Sequence, residues 1–209
     1  MLIASNLRGL PRIKPMLLER FPCAFSHPDW LFEVKHDGFR AMAYLETSQL
    51  RLISRRDHEY RSFPTLCHSI ASALKVKDAI LDGEIVSIDQ HGVAQFKQLM
   101  YRRYEPRFYA FDILWVNGED LRELPLLERK SILRKVIPTD CPSLLYVDHL
   151  EERGEGLFDI CCSLDLEGIV AKYKHGKYVS GPETTWAKIK NPHYSQIVDR
   201  DEMFGKKAA

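Results

Sequence analysis

Apolar positions recur along this chain with two periods. Short runs near period two, the spacing of a half-buried strand, cover 31–34, 41–45, 50–54 and 144–147. Longer apolar strands are predicted over 79–88 and 108–116, and two more over 167–172 and 185–190. The strand at 79–88 is interrupted at its centre by Asp82-Gly83-Glu84, and Gln90-His91-Gly92 and Asn117-Gly118 read as turns. Between the strands the period lengthens. Phe63, Leu66, Ile70, Ala73 and Leu74 fall on one face of a helix over 63–75, with Ser62 as its cap and Pro64 in the tolerated first turn. Further helices are expected over 95–102, from Pro125 to Val136 with Leu126, Leu133 and Ile137 on a common face, and over 156–164. Many strands follow one another through short turns. That pattern favours an α+β fold, with mixed, largely antiparallel sheets and helices packed outside. One domain over 1–209 is the simplest count, with 1–25 an extended lead-in carrying Pro11, Pro15 and Pro22, and 200–209 a polar tail.

Composition changes this picture little. A hydrophobic fraction of 45% with 28% charged residues is that of an ordinary globular chain with a real core. The formal net charge of +1 makes no global case for nucleic acid. Such a case rests on local clusters, Arg51/Arg55/Arg56/Arg61 and Arg102/Arg103/Arg107. Five cysteines at irregular spacing include no Cys-x-x-Cys, and Cys161-Cys162 lie in an apolar run as reduced core residues. No stretch approaches a membrane span, and the N-terminus lacks a signal pattern, so a cytoplasmic protein without a membrane partner is the default.

The stretch with the most chemistry is Glu33-Val34-Lys35-His36-Asp37-Gly38-Phe39-Arg40. Leu31 to Val34 delivers Lys35 to a strand end, Asp37-Gly38 reads as a tight turn, and Ala41 to Leu45 returns as the second strand of a hairpin. A lysine amine attacks only when unprotonated, and its ordinary pKa of ~10.4 leaves few molecules reactive at neutral pH. A nucleophilic lysine therefore needs burial or neighbouring cations. Lys188 and Lys190 project from one face of their strand, with Ile189 on the other. They make either a solvated surface or, with Glu84 and Glu167, a pocket. In that pocket cations would meet a polyphosphate, carboxylates would meet a ribose hydroxyl or Mg²⁺, and the positive field would act on Lys35.

Six segments in order carry a resemblance. They are Lys35 to Arg40, Ser54-Arg55, Leu81 to Glu84, Phe111 to Leu114, Glu167 to Lys172, and Trp186 to Lys190. They resemble motifs I, Ia, III, IIIa, IV and V of the covalent nucleotidyltransferases, most closely the ATP-dependent DNA ligases of bacterial end-joining type. The resemblance implies a nucleotide pocket between the sheets, with ATP and Mg²⁺ or Mn²⁺ as cofactors. Lys35 would take AMP from ATP and pass it to the 5′-phosphate of nicked double-stranded DNA. Glu33 and the Val34 main chain would read the adenine edge, and Phe111 would stack on the ring. Arg40 and Arg55 would hold ribose and phosphate oxygens. Glu84 would bind ribose or metal, Glu167 a divalent ion, and Lys188 and Lys190 the charge developing on the α-phosphate. From the strand pattern alone Phe111 could equally be core, Arg55 a surface turn residue, and Lys172 has no assigned role.

Two departures stand out. Arg56-Asp57 follows Ser54-Arg55 where the family usually has Asn-Gly, and few residues follow Lys190, so no OB-fold domain is expected in this chain. Such a domain, or a DNA-end-binding protein, would then act in trans. RNA ligation, GTP-using capping chemistry and a non-catalytic nucleotide- or DNA-binding module are the alternatives.

Overall fold

The computed structural model describes residues 9–90, 92–180 and 183–196. The expected polar tail at 200–209 lies outside them. In chain order the elements are β1 (Glu19–Arg20), β2 (Trp30–Val34), β3 (Phe39–Glu46), β4 (Gln49–Ser54), α1 (Pro64–Ala73), β5 (Asp78–Val86), α2 (Phe96–Met100) and β6 (Arg107–Val116). They continue with β7 (Glu119–Asp120), α3 (Leu126–Val136), β8 (Leu144–Tyr146), β9 (His149–Glu151), α4 (Gly154–Ser163), β10 (Gly168–Tyr173) and β11 (Trp186–Lys190). The sequence pattern did not anticipate the two short strands β7 and β9. Within the lead-in, β1 pairs in parallel with β11, and Ile13 and Met16 are buried. No helix among the described residues is long and apolar enough to cross a membrane.

The strands form two mixed, largely antiparallel sheets, one ordered β1-β11-β10-β2-β9 and the other β4-β3-β5-β6-β7 with β8 parallel to β6. Apolar side chains fill three layers. Cys161 of α4 joins Phe32, Ile169 and Ile189 behind the first sheet. Leu66 and Ile70 of α1 and Leu133 of α3 join Ala43, Leu81 and Ile113 behind the second. Leu31 and Trp186 of the first sheet meet Met42, Ile80 and Leu114 of the second in a layer between them.

Two local expectations need correcting. The segment after Lys35 is not a hairpin turn, because β2 and β3 belong to different sheets. Asp37-Gly38 carries the chain across the gap. Its glycine is required by close approach, since a Cβ on Gly38 would sit 2.1 Å from the Ile85 carbonyl oxygen. Nor does Ser62 cap α1: Phe63 occupies the N-cap, without a side-chain hydrogen bond, and Pro64 opens the helix. The Asp82-Gly83-Glu84 interruption is absorbed differently too. β5 runs through it, and the irregularity falls on β6, where Phe111 and Leu114 are left over as bulged residues between paired neighbours. A bulge re-aims side chains, and Phe111 is thereby turned into the gap between the sheets.

Candidate active site

Register fixes one wall. Residues directly opposite on neighbouring strands share a face. Glu33 of β2 pairs with Val170 of β10, which pairs with Lys188 of β11, while Leu31, Lys172 and Trp186 form the adjacent row. Two residues on, the Lys35 amide donates to the Gly168 carbonyl at 2.9 Å, and Gly168 pairs with Lys190. The motif residues of three strands are therefore brought to the inner face of one sheet, while Phe32, Ala171 and Ile189 fill the outer one.

The cations expected around Lys35 are there, with a carboxylate between them. Lys35 Nζ donates to Glu167 Oε2 at 2.5 Å, and Lys190 Nζ lies 3.1 Å from Oε1 of the same group. Burial alone would push the Glu167 carboxyl up, but Lys35 and then Lys190 outweigh it and hold it below the usual range. Lys188 is drawn below the ordinary lysine value, first by burial and then by the charges of Lys35, Lys190 and Arg55. Arg55 itself is exposed on the turn after β4. It lines a separate groove with Arg12, Lys14 and Arg56 rather than the Lys35 cavity.

Deeper in, Glu33 is 2% exposed and meets two lysines, Lys130 of α3 and Lys172 of β10, each at 2.5 Å. Burial raises Glu33, and the two lysines outweigh it, leaving the carboxyl below its ordinary value. Burial draws Lys172 down to about 8 against the pull of Glu33. Its ammonium lies 4.3 Å from the Phe111 ring centre and 4.1 Å from that of Trp186.

The facing wall comes from the second sheet. Asp82, fully buried, takes hydrogen bonds from Arg40 at 3.1 and 2.7 Å and from the Tyr178 hydroxyl at 2.6 Å. That brace places the Arg40 guanidinium 5.6 Å from the Phe111 ring centre. Glu84 pairs in register with Arg40 but accepts no hydrogen bond among the described residues. Burial pushes its carboxyl up to about 8, more than Lys35 and Arg40 lower it, and Glu167 and Asp37 add to the rise. Glu33, Lys35, Arg40, Glu84 and Phe111 thus line one cavity, shared with Lys172 and Trp186. Val34 borders it, with its side chain packed into the cluster behind the sheet. His36, its ring tilted 40° to that of Tyr109 with the ring centres 4.4 Å apart, is lowered by burial to about 4.

For a divalent ion the fit is partial. No group of three or more His, Cys, Asp or Glu that could hold a metal occurs among the described residues. The unpartnered Glu84 carboxyl and neighbouring Glu167 could supply two oxygen ligands, leaving the rest to phosphate or water.

Sequence reasoning missed Lys130 and gave Lys172 and Tyr178 no role. A signal existed for the first two. Lys130 stands four residues after Leu126 and three before Leu133, on the core-facing stripe of α3, and Lys172 sits inside an apolar strand run.

Two mixed sheets facing each other across a lysine, neighbouring cations and an aromatic ring are the frame of a nucleotidyltransferase domain. Residues 15–190 match the family model described as the ATP dependent DNA ligase domain, and the chain belongs to that family. Among relatives, it is 30% identical over 168 residues to the multifunctional non-homologous end joining protein LigD of Pseudomonas aeruginosa, covering 78% of this chain and 20% of that protein. It is 27% identical to the SPbeta prophage-derived DNA ligase-like protein LigB of Bacillus subtilis, over 89% of this chain and 70% of that one. Among solved structures, a mycobacterial DNA ligase D complexed with ATP and MES superposes with a TM-score of 0.72 at 28% identity, covering 85% of this chain and 60% of that one. The chain therefore spans about a fifth of the length of the Pseudomonas relative.

Proposed function

We propose that this domain transfers adenylate through Lys35 and, with nicked double-stranded DNA, passes it to a 5′-phosphate. The observation that carries this reading is one cavity lined by Glu33, Lys35, Arg40, Glu84 and Phe111, with Lys188 and Lys190 on the same sheet face. Lys35 leaves its ion pair with Glu167, loses a proton, and attacks the α-phosphorus of ATP. An N–P bond forms and the bond to pyrophosphate breaks. Lys188 and Lys190 stabilise the charge that gathers on the phosphate oxygens, as positioned cations do in phosphoryl transfer. Arg40, braced by Asp82, holds ribose or phosphate oxygens, and Phe111 offers its ring to the base. Glu33 and the Val34 main chain read the adenine edge. Glu84 and Glu167 would hold Mg²⁺ or Mn²⁺, which when bound neutralises phosphate charge.

Arg55, beside Lys14 and Arg56 and outside the cavity, suits the DNA 5′-phosphate better than the nucleotide. The DNA ligase relatives favour DNA over RNA as the nicked strand. An OB-fold domain or a DNA-end-binding protein would complete the grip on the duplex, and the setting is the cytoplasm.

Intact mass after incubation with ATP and Mg²⁺ tests the reading. One AMP is expected on wild type and none on Lys35→Ala. A folded wild type that gains no AMP refutes it. Nicked DNA carrying a preformed 5′-adenylate tests sealing separately.

A further inference from the structure

We infer that Lys130 of α3 sets the base specificity of this site by keeping Glu33 ionised and oriented, so that the cavity takes a 6-amino purine and refuses a 6-oxo purine. The inference rests on the reading that Glu33 faces the base of a nucleotide bound at Lys35.

The two lysines on Glu33 are not equivalent. Lys172 lines the cavity and lies over two aromatic rings, where a ligand would touch it. Lys130 does not line the cavity. It is 1% exposed, and its ammonium is fixed from behind by the Val147 carbonyl at 3.0 Å and the Tyr146 ring at 4.6 Å. What it does for a ligand passes through Glu33, so it is a positioning residue.

The charged and titratable groups facing Glu33 are Lys130 from α3, Lys172 from β10, His149 from β9, His36 from the crossover and Tyr146 of β8. Asp112 faces both lysines. Glu33 outweighs burial at Lys130 and holds that ammonium above its ordinary value. Lys172, already drawn down to about 8, is the weaker guarantor of charge. Without Lys130, a buried carboxyl facing a cation of that kind tends to take up a proton.

The protonation state decides which base fits. An ionised carboxylate only accepts hydrogen bonds. A 6-amino purine offers it an N–H donor, whereas a 6-oxo purine turns lone pairs toward it. A protonated Glu33 carries its own donor and would welcome the 6-oxo group. A hydrogen bond to a charged acceptor supports discrimination of roughly ten- to a hundredfold.

The test measures the rate of covalent adduct formation with ATP and with GTP, each with Mg²⁺, on the full chain. Wild type is expected to prefer ATP by at least about tenfold. Lys130→Met should bring the ATP-to-GTP rate ratio toward one, and Lys130→Arg should keep it. A purely structural role would slow both nucleotides equally, and an unchanged ratio in Lys130→Met overturns the inference while leaving the proposed function intact. Should Lys130→Met fail to fold, Glu33→Gln and Glu33→Gln/Lys130→Met decide, because neither leaves an orphan carboxylate. Both should show the same relaxed ratio, and a further change from Lys130→Met in that background overturns the inference. A wild type that forms no adduct with either nucleotide overturns the proposed function and this inference with it.

Discussion

Replacing Arg129 by Met isolates the buried charge that ties α3 to the second sheet. Arg129 and Asp112 are both fully buried, joined by two parallel hydrogen bonds of 2.9 and 2.8 Å. The remaining guanidinium nitrogen donates to the Leu124 carbonyl at 2.6 Å and to that of Gly176 at 3.1 Å. Arg129→Met leaves a carboxylate without its cation in a dry site. Removing one partner of such a pair costs about 3–5 kcal/mol, whereas removing both is often close to neutral. For a domain of this size about 1 kcal/mol corresponds to roughly 2–4 °C in Tm. The single variant should therefore melt roughly 6–20 °C lower by this conversion, and Arg129→Met/Asp112→Leu should recover most of the loss. Urea unfolding followed by tryptophan fluorescence reads the difference directly. A single variant within about 1 kcal/mol of wild type, or a double variant no better than the single, would refute the claim that the cost is an unpaired buried charge.

The other expectations are briefer. Burial holds Glu84 at about 8, above the 4.5 of an ordinary glutamate, so between those values the folded carboxyl keeps a proton that the unfolded chain has released. Stability from this group therefore falls as pH rises through that window. Glu84→Gln should accordingly raise Tm more at pH 8 than at pH 5, and an equal or reversed effect would count against the burial argument. A Cβ on Gly83 would meet Phe108 Cζ at 2.5 Å and the Tyr109 carbonyl at 2.6 Å, so Gly83→Ala should destabilise the β5–β6 pair by roughly 1–3 kcal/mol, as overpacking does; unchanged urea unfolding would contradict it. Nicked-duplex binding by this chain should be weak and fall steeply between 50 and 200 mM salt, because local clusters such as Lys14, Arg55 and Arg56 supply the phosphate contacts. Tight, salt-insensitive binding in an anisotropy titration would exclude that footprint.

What could be read from the sequence divides along a physical line. Period and turn chemistry are local, so β4, β6 and the apolar face of α3 follow from the residues themselves. Partner choice is not local. Asp37-Gly38 suits a hairpin turn as well as it suits a crossover, and what decides is the Ile85 carbonyl of a distant strand pressed against Gly38. Phe111 illustrates the same limit, for its aim depends on a bulge that exists only in its pairing with β5.

Electrostatics is the least local property of all. Counting lysines near motif residues suggests a positive field around Lys35, yet Glu167, 132 residues away in sequence, stands in contact with the amine. The same reasoning placed Glu33 in the site but overlooked its neutralising cation, which comes from α3, 97 residues away. In both places a carboxylate is sealed between two lysines, at Glu167 by Lys35 and Lys190 and at Glu33 by Lys130 and Lys172. The difference between them is burial. Lys35 is 18% exposed and Lys190 33%, whereas Lys130 is 1% and Lys172 2% exposed. An exposed pair can open when a polyphosphate competes for its cations, but a dry one pays the full cost of an unpaired charge if it opens. The outer cluster is thus suited to releasing a nucleophile, and the inner one to holding a recognition group still.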